Sequence, residues 1–121
     1  MSHWRILYAP ALEQAVVKFV ETAVFTKRVV EILSDEQYRR LQEALVVRPD
    51  LGKVIPGSGG LRKLRWSTSY SGKRGGVRVI YFWAVQQDTI LMLFVFRKNE
   101  RDDLTPEQIQ ALRRIVEAEY P

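Results

Sequence analysis

Val77–Phe96, VRVIYFWAVQQDTILMLFVF, reads as two strands, Val77 to Val85 and Thr89 to Phe96, closed by a tight turn at Gln86-Gln87-Asp88. Both strands are apolar at nearly every position, which predicts central strands covered on two faces, and so short a turn makes them antiparallel. Upstream, Leu61 to Ser67 (LRKLRWS) predicts a third strand. Alternation puts Leu61, Lys63 and Arg65 on one face of it and Arg62, Leu64 and Trp66 on the other. Three strands in succession form an antiparallel meander. Ser67 to Gly76 reads as a polar, basic loop, and Asp50 to Gly60, with four glycines and a proline, as turn chemistry without a regular element.

Beyond the meander, Thr105-Pro106-Glu107-Gln108 opens a helix with proline at its first position. It runs to Tyr120 with Ile109, Leu112, Ile115 and Val116 on one face. Towards the N-terminus, Val16 to Glu21 predicts a strand with Val17, Phe19 and Glu21 on one side. Thr22 to Leu33 carries Phe25, Val29 and Ile32 at helical spacing. Ser34-Asp35-Glu36-Gln37 matches a capping box and starts a second helix, Asp35 to Val47, with Tyr38, Leu41 and Leu45 on one face. The first fifteen residues have no clear period and are interrupted by Pro10. They read as a short helix after Pro10 or a flexible extension, so residues 1–15 are set apart from a domain at 16–121. The order of strand, two helices, three or four strands and a terminal helix is that of an α+β domain.

A chain of 121 residues can bury one core without staples. Absence of cysteine excludes disulfides and thiolate metal sites and suits a reducing compartment. No apolar run approaches the roughly 20 residues that cross a bilayer, and the first residues lack a secretory core, so a soluble cytoplasmic protein is expected. The isoelectric point is about 9.7, which favours a polyanionic partner. Positive charge is concentrated: Gly60 to Arg101 holds nine Lys or Arg against two acids, while residues 1–59 hold eight against seven and residues 102–121 two against five.

The spans GSGGLRKLRW, KRGGVRVIYF and RKNERDDL, in this order, resemble the toxins of bacterial type II toxin–antitoxin modules in the RelE/HigB group. The resemblance extends over roughly Val16 to Glu117. It implies a small antiparallel β-sheet with two N-terminal helices on one face and a C-terminal helix. It also implies an endoribonuclease that cuts mRNA in the ribosomal A site and is held inactive by a cognate antitoxin, a small helix-turn-helix DNA-binding protein. Carried over by residue, Lys63 and Arg65 match the paired basic positions of the first core strand, and Arg78 matches the arginine opening the next. Lys98 and Glu100 fall in the polar motif after the last strand. Where some relatives have a further arginine and a later tyrosine, this chain has Asn99 and Thr105.

RNA is cut without metal or cofactor when its own 2′-OH is steered in line at the adjacent phosphate, the added negative charge is stabilised, and the leaving 5′-oxygen is protonated. Guanidinium groups suit the second task, through two charge-assisted bonds to phosphate oxygens, which points to Arg65 and Arg78. The sole histidine, His3, lies in the N-terminal extension, so a histidine pair is not expected. Lys63, among arginines that would depress its pKa, and Glu100 are alternative bases, and Lys98 is a candidate acid. With no ideally tuned group, dependence on the ribosome for orienting the substrate is expected. Arg62, Lys73, Arg74, Arg97 and Arg101 are candidate contacts to RNA, including rRNA. Trp66, Tyr81, Phe82, Trp83 and Phe94 have the chemistry to stack on bases, although their apolar neighbours fit most of them to a core. Neither GSGG nor SGKRGG has the strand-to-helix context of a nucleotide-binding loop. Two other functions use the same features: a gyrase-poisoning toxin acting by protein binding on the same scaffold, and an RNA-binding module that cuts nothing.

Overall fold

The computed structural model describes residues 4–8, 17–68, 76–101 and 103–121. Six strands form one sheet: β1 (Trp4–Tyr8), β2 (Lys18–Thr22), β3 (Lys53–Val54), β4 (Arg62–Trp66), β5 (Val77–Ala84) and β6 (Thr89–Arg97). Their spatial order is β1-β2-β6-β5-β4-β3. Three helices complete the fold: α1 (Ala23–Ile32), α2 (Asp35–Val47) and α3 (Pro106–Glu119). This is an α+β fold with two early helices and one C-terminal helix.

The meander is present: β4, β5 and β6 pair antiparallel in succession, with Asp88 in the left-handed conformation (φ 47°) after a short 3-10 turn. Both central strands are buried along most of their length, as two-sided covering requires. One face of the sheet packs Phe19, Leu64, Val79, Tyr81 and Met92 against Phe25 and Val29 of α1 and Leu41 and Leu45 of α2. The opposite face packs Leu61, Ile80, Leu91 and Phe96 against Ile109 and Val116 of α3.

Three features depart from the sequence expectations. The sheet is mixed rather than wholly antiparallel, because β2 runs parallel to β6 across about 70 residues of intervening chain. Lys53–Val54, within the stretch read as loop, pairs with Arg62 and Lys63 as a two-residue edge strand. Trp4–Tyr8, in the segment left without an element, pairs antiparallel with β2 as the other edge.

Local chemistry explains the helix boundaries. The Thr22 hydroxyl accepts from the Phe25 amide at the start of α1 and donates to the Leu93 carbonyl. That carbonyl belongs to a β-bulge: Ile80 faces Phe94 and Tyr81 faces Met92, leaving Leu93 without a partner on β5. Capping boxes open α2, between Ser34 and Gln37, and α3, between Thr105 and Gln108. Helix α3 is anchored on the turn before β4, where Gln110 and Arg113 both donate to the Gly57 carbonyl. Gly59, at φ 74°, admits this approach, since a β-carbon there would stand 3.0 Å from Arg113 Nε.

Opposite the Arg113 anchor, a buried polar centre joins β1, β2 and α2. Glu21 is fully buried; it accepts from Arg5 Nε at 2.7 Å, Thr26 Oγ1 at 2.7 Å and the Tyr38 hydroxyl. Burial, followed by the bond to Glu21, pushes the Tyr38 phenol far above its ordinary range.

Candidate nucleic-acid interface

Alternation along β4 turns Lys63 and Arg65 towards the α3 face of the sheet, with Leu61, while Leu64 packs on the α1/α2 face. On β5, Arg78 shares the α3 face with Ile80. Register does the rest. Arg65 lies directly opposite Arg78, and Lys63 directly opposite Ile80. Cα atoms opposite each other across an antiparallel pair are about 4.5–5.5 Å apart, and residues two apart on one strand about 7 Å. Three cationic side chains that are 15 positions apart in sequence therefore meet on one patch.

Their environments differ. Arg65 is exposed, whereas Arg78 is 6 % exposed and has Phe96 on its other flank. Burial, then the neighbouring charge of Arg65, lowers the pKa of Arg78, with Asp103 opposing. A guanidinium stays charged through such a shift. Arg65, Arg78, Trp66 and Ser67 line a cleft of about 300 Å³. Two guanidinium groups converging on one cleft, with acid only at its margin, match the charge and bidentate geometry of a phosphate.

Lys63 Nζ donates to Asp103 Oδ2 at 2.7 Å. Asp103, in the approach to α3, also accepts from the Leu104 amide. Burial pushes the Asp103 carboxyl up, but the Lys63 bond, the Leu104 amide and the charges of Lys63 and Arg78 outweigh it and hold the group below its ordinary value. Lys63 is thus ion-paired within the patch, tied to the chain leading into α3. Asp103 went unread in the sequence, where only its position in RKNERDDL marked it.

Other candidates fall elsewhere. Glu100 accepts from the Arg97 amide at 2.7 Å and from Arg28 Nη2 of α1. The Arg97 amide bond leads the lowering of its pKa; the charges of Arg28 and Arg97 add to it and burial opposes. Glu100 braces the turn after β6 against α1. Lys98 donates its amide to the Gly76 carbonyl, at the end of the sheet where β5 begins. Arg62 donates to the carbonyls of Asp50 and Gly52, and Arg97 to the carbonyl of Glu31, so both secure loops and helix on the α1/α2 side. Arg101 lies with Arg28 over the Phe94 ring, at 5.4 and 5.0 Å from its centroid. Lys73 and Arg74 lie outside the described residues, as does His3.

No protein-family model matches this chain. Among the described residues, no three His, Asp or Glu side chains gather as a metal-binding set would, and no helix is long and apolar enough to cross a membrane.

Proposed function

We propose that this chain is a RelE/HigB-type toxin of a type II toxin–antitoxin module: a cytoplasmic, metal-independent endoribonuclease that cuts mRNA in the ribosomal A site and is neutralised by a cognate antitoxin. The observation that carries the reading is the Arg65–Arg78 pair. Like charges directly opposite on adjacent strands are destabilising, and burying one of them adds a desolvation cost, so the arrangement fits a site built for a polyanion. In this reading Arg65 and Arg78 hold the reacting phosphate and stabilise its added negative charge. Lys63, oriented by Asp103, protonates or hydrogen-bonds the leaving 5′-oxygen. The 2′-OH of the RNA attacks the adjacent phosphorus and gives up its proton to solvent, the P–O5′ bond breaks, and the products are a 2′,3′-cyclic phosphate and a 5′-hydroxyl. Lys98 and Glu100 contribute through the turn after β6, and rRNA contacts fall to the remaining basic residues.

A second reading keeps the patch and drops the chemistry: a module that binds RNA without cutting it. It is favoured by Glu100, which braces Arg28 and Arg97 rather than joining Lys63, and by Asp103, the carboxylate that does stand beside Lys63, which is tied up in the Lys63 ion pair and the Leu104 amide bond.

The deciding experiment adds purified protein to a defined mRNA with and without translating ribosomes and maps ends by primer extension, comparing wild type with Arg65→Gln. Cuts that require ribosomes and disappear in the variant are expected. Intact mRNA with RNA binding retained would favour the binding module; intact mRNA with DNA damage on expression would favour a gyrase poison.

A further inference from the structure

The Arg65/Arg78 cleft is one of two cavities at the same end of the sheet. A larger one, about 430 Å³, lies beside the start of α2 and is lined by Glu36, Gln37, Arg40 and Thr68 together with Trp66 and Ser67. Trp66 and Ser67 line both cavities. Because β3 pairs only with Arg62 and Lys63, residues Leu64 to Trp66 of β4 have no strand neighbour on their outer side among the described residues. The two cavities are therefore separated by an unpaired strand edge at Leu64 to Trp66 rather than by a further strand among the described residues.

The two cavities differ in chemistry. The first is cationic. In the second, Glu36 and Arg40 pair at 3.1 Å and cancel, leaving a half-buried indole next to one acceptor carboxylate, one guanidinium and backbone and amide groups. Gln37 is committed, accepting from the Ser34 amide and donating from Nε2 to the Thr68 carbonyl, and so fixes the pocket wall against the end of β4. A charge-neutral pocket with an aromatic wall and both donor and acceptor groups is poorly suited to a second phosphate and well suited to a planar, neutral ring with hydrogen-bonding edges.

We infer that the pocket between Trp66 and the start of α2 takes the unpaired nucleobase adjacent to the phosphate held by Arg65 and Arg78. The inference rests on the reading of that cleft as an RNA phosphate site. Trp66 supplies stacking, and Arg40 and Glu36 read the base edge once their mutual pair opens. The protein thereby distinguishes bases at one position of a single strand, while the arginine cleft is indifferent to sequence.

The test is a binding scan at low salt with fluorescently labelled single-stranded RNA hexamers carrying 2′-O-methyl at every sugar, so that nothing is cut, and one abasic residue at each position in turn. For wild type, one position should stand out, its abasic form binding roughly 5- to 100-fold more weakly, the range of one base stacked on an aromatic side chain. Trp66→Ala should bind the intact hexamer that much more weakly and lose the abasic penalty; Trp66→Phe should keep most of both. Arg40→Ala, a surface change that leaves the fold intact, should bind different bases at that position more evenly. Arg65→Gln should weaken all hexamers alike and retain the penalty. Tight wild-type binding with a flat scan, or a full penalty in folded Trp66→Ala, would overturn the base pocket alone. Failure of wild type to bind any hexamer would overturn the RNA reading of the arginine cleft, and the pocket with it.

Discussion

Arg65 and Arg78 face each other across β4 and β5, one in solvent and one buried, in a sheet that has no structural use for their repulsion. Arg65→Gln should therefore melt at or slightly above the wild-type temperature, since a like-charged cross-strand pair costs about 0.2–1 kcal/mol. If the cleft binds the reacting phosphate, ribosome-dependent cleavage should fall by roughly 100-fold or more in the same variant. A variant that loses stability and activity in parallel would contradict a functional reason for the pair.

Glu100 and Arg28 make a different prediction. As a brace, Glu100→Gln and Arg28→Ala should reduce activity by similar, modest factors and leave the pH–rate profile unmoved. As a general base, Glu100→Gln should abolish cleavage while Arg28→Ala retains it. Single-turnover rates across pH for both variants separate the two roles.

Acid stability follows from Asp103 and Glu100, both held below their ordinary pKa values. A depressed folded-state pKa contributes stability that is present above the unfolded value and lost as pH falls through the folded one. Their contribution should be constant from neutral pH down to about pH 5 and decline below about pH 4, where unfolded carboxyls take up protons. Asp103→Asn should show a shallower loss of melting temperature over that acid range than wild type.

Tyr81 is fully buried and fastens the chain before β3: its hydroxyl donates to the Pro49 carbonyl at 2.7 Å and accepts from the Gly52 amide at 2.8 Å. Tyr81→Phe leaves both groups short of a partner and should cost about 1–3 kcal/mol in chemical denaturation. Gly52→Ala should be at least as damaging, because its β-carbon would stand 2.8 Å from Tyr81 Cε1. RNA cleavage per folded molecule should survive Tyr81→Phe, as the hydroxyl lies on the α1/α2 side of the sheet.

Glu21 is fully buried while its ion-pair partner Arg5 is 44 % exposed, so their removal should be unequal. Glu21→Ala leaves Arg5 half in solvent and the Tyr38 hydroxyl without its acceptor, and should cost about 1–3 kcal/mol. Arg5→Ala leaves the fully buried carboxylate without its counter-charge and should cost more, on the order of 3–5 kcal/mol. Urea titration of both variants gives the comparison; a smaller loss in Arg5→Ala would mean that Thr26 and Tyr38 alone hold the carboxylate.

Most of the framework was legible because its signals are local. Both capping boxes, the proline at the start of α3, the apolar runs of β5 and β6 and the alternation of β4 each lie within a few residues, and each corresponds to an element. The parallel β2–β6 pairing has no local signature, since neither strand's sequence names a neighbour 70 residues away. β3 is too short to carry a period, and β1 is recognisable only through what it meets, Glu21 and the edge of β2. At the candidate site, alternation alone separates Arg62 from Lys63 and Arg65, but the meeting of Arg65 with Arg78 depends on strand register. Asp103 and Arg28 act through side chains that reach other elements, and single charged residues in a loop or on an amphipathic helix give no sign of that.

The central position of β6 has a consequence for how the molecule comes into being. The strand that joins the β1–β2 pair to the meander is the last strand to leave the ribosome, and the helix packed on the same face of the sheet as the arginines comes later still. The β1–β2, β3–β4, β4–β5 and β5–β6 pairings each join consecutive strands, whereas β2–β6 closes about 70 residues of chain and carries the largest loop-closure cost. A nascent chain that ends before Thr89 lacks the strand that lies between β2 and β5. The arginine patch is complete in sequence well before it is framed in space, so a truncated product carries the charges without the surface that organises them.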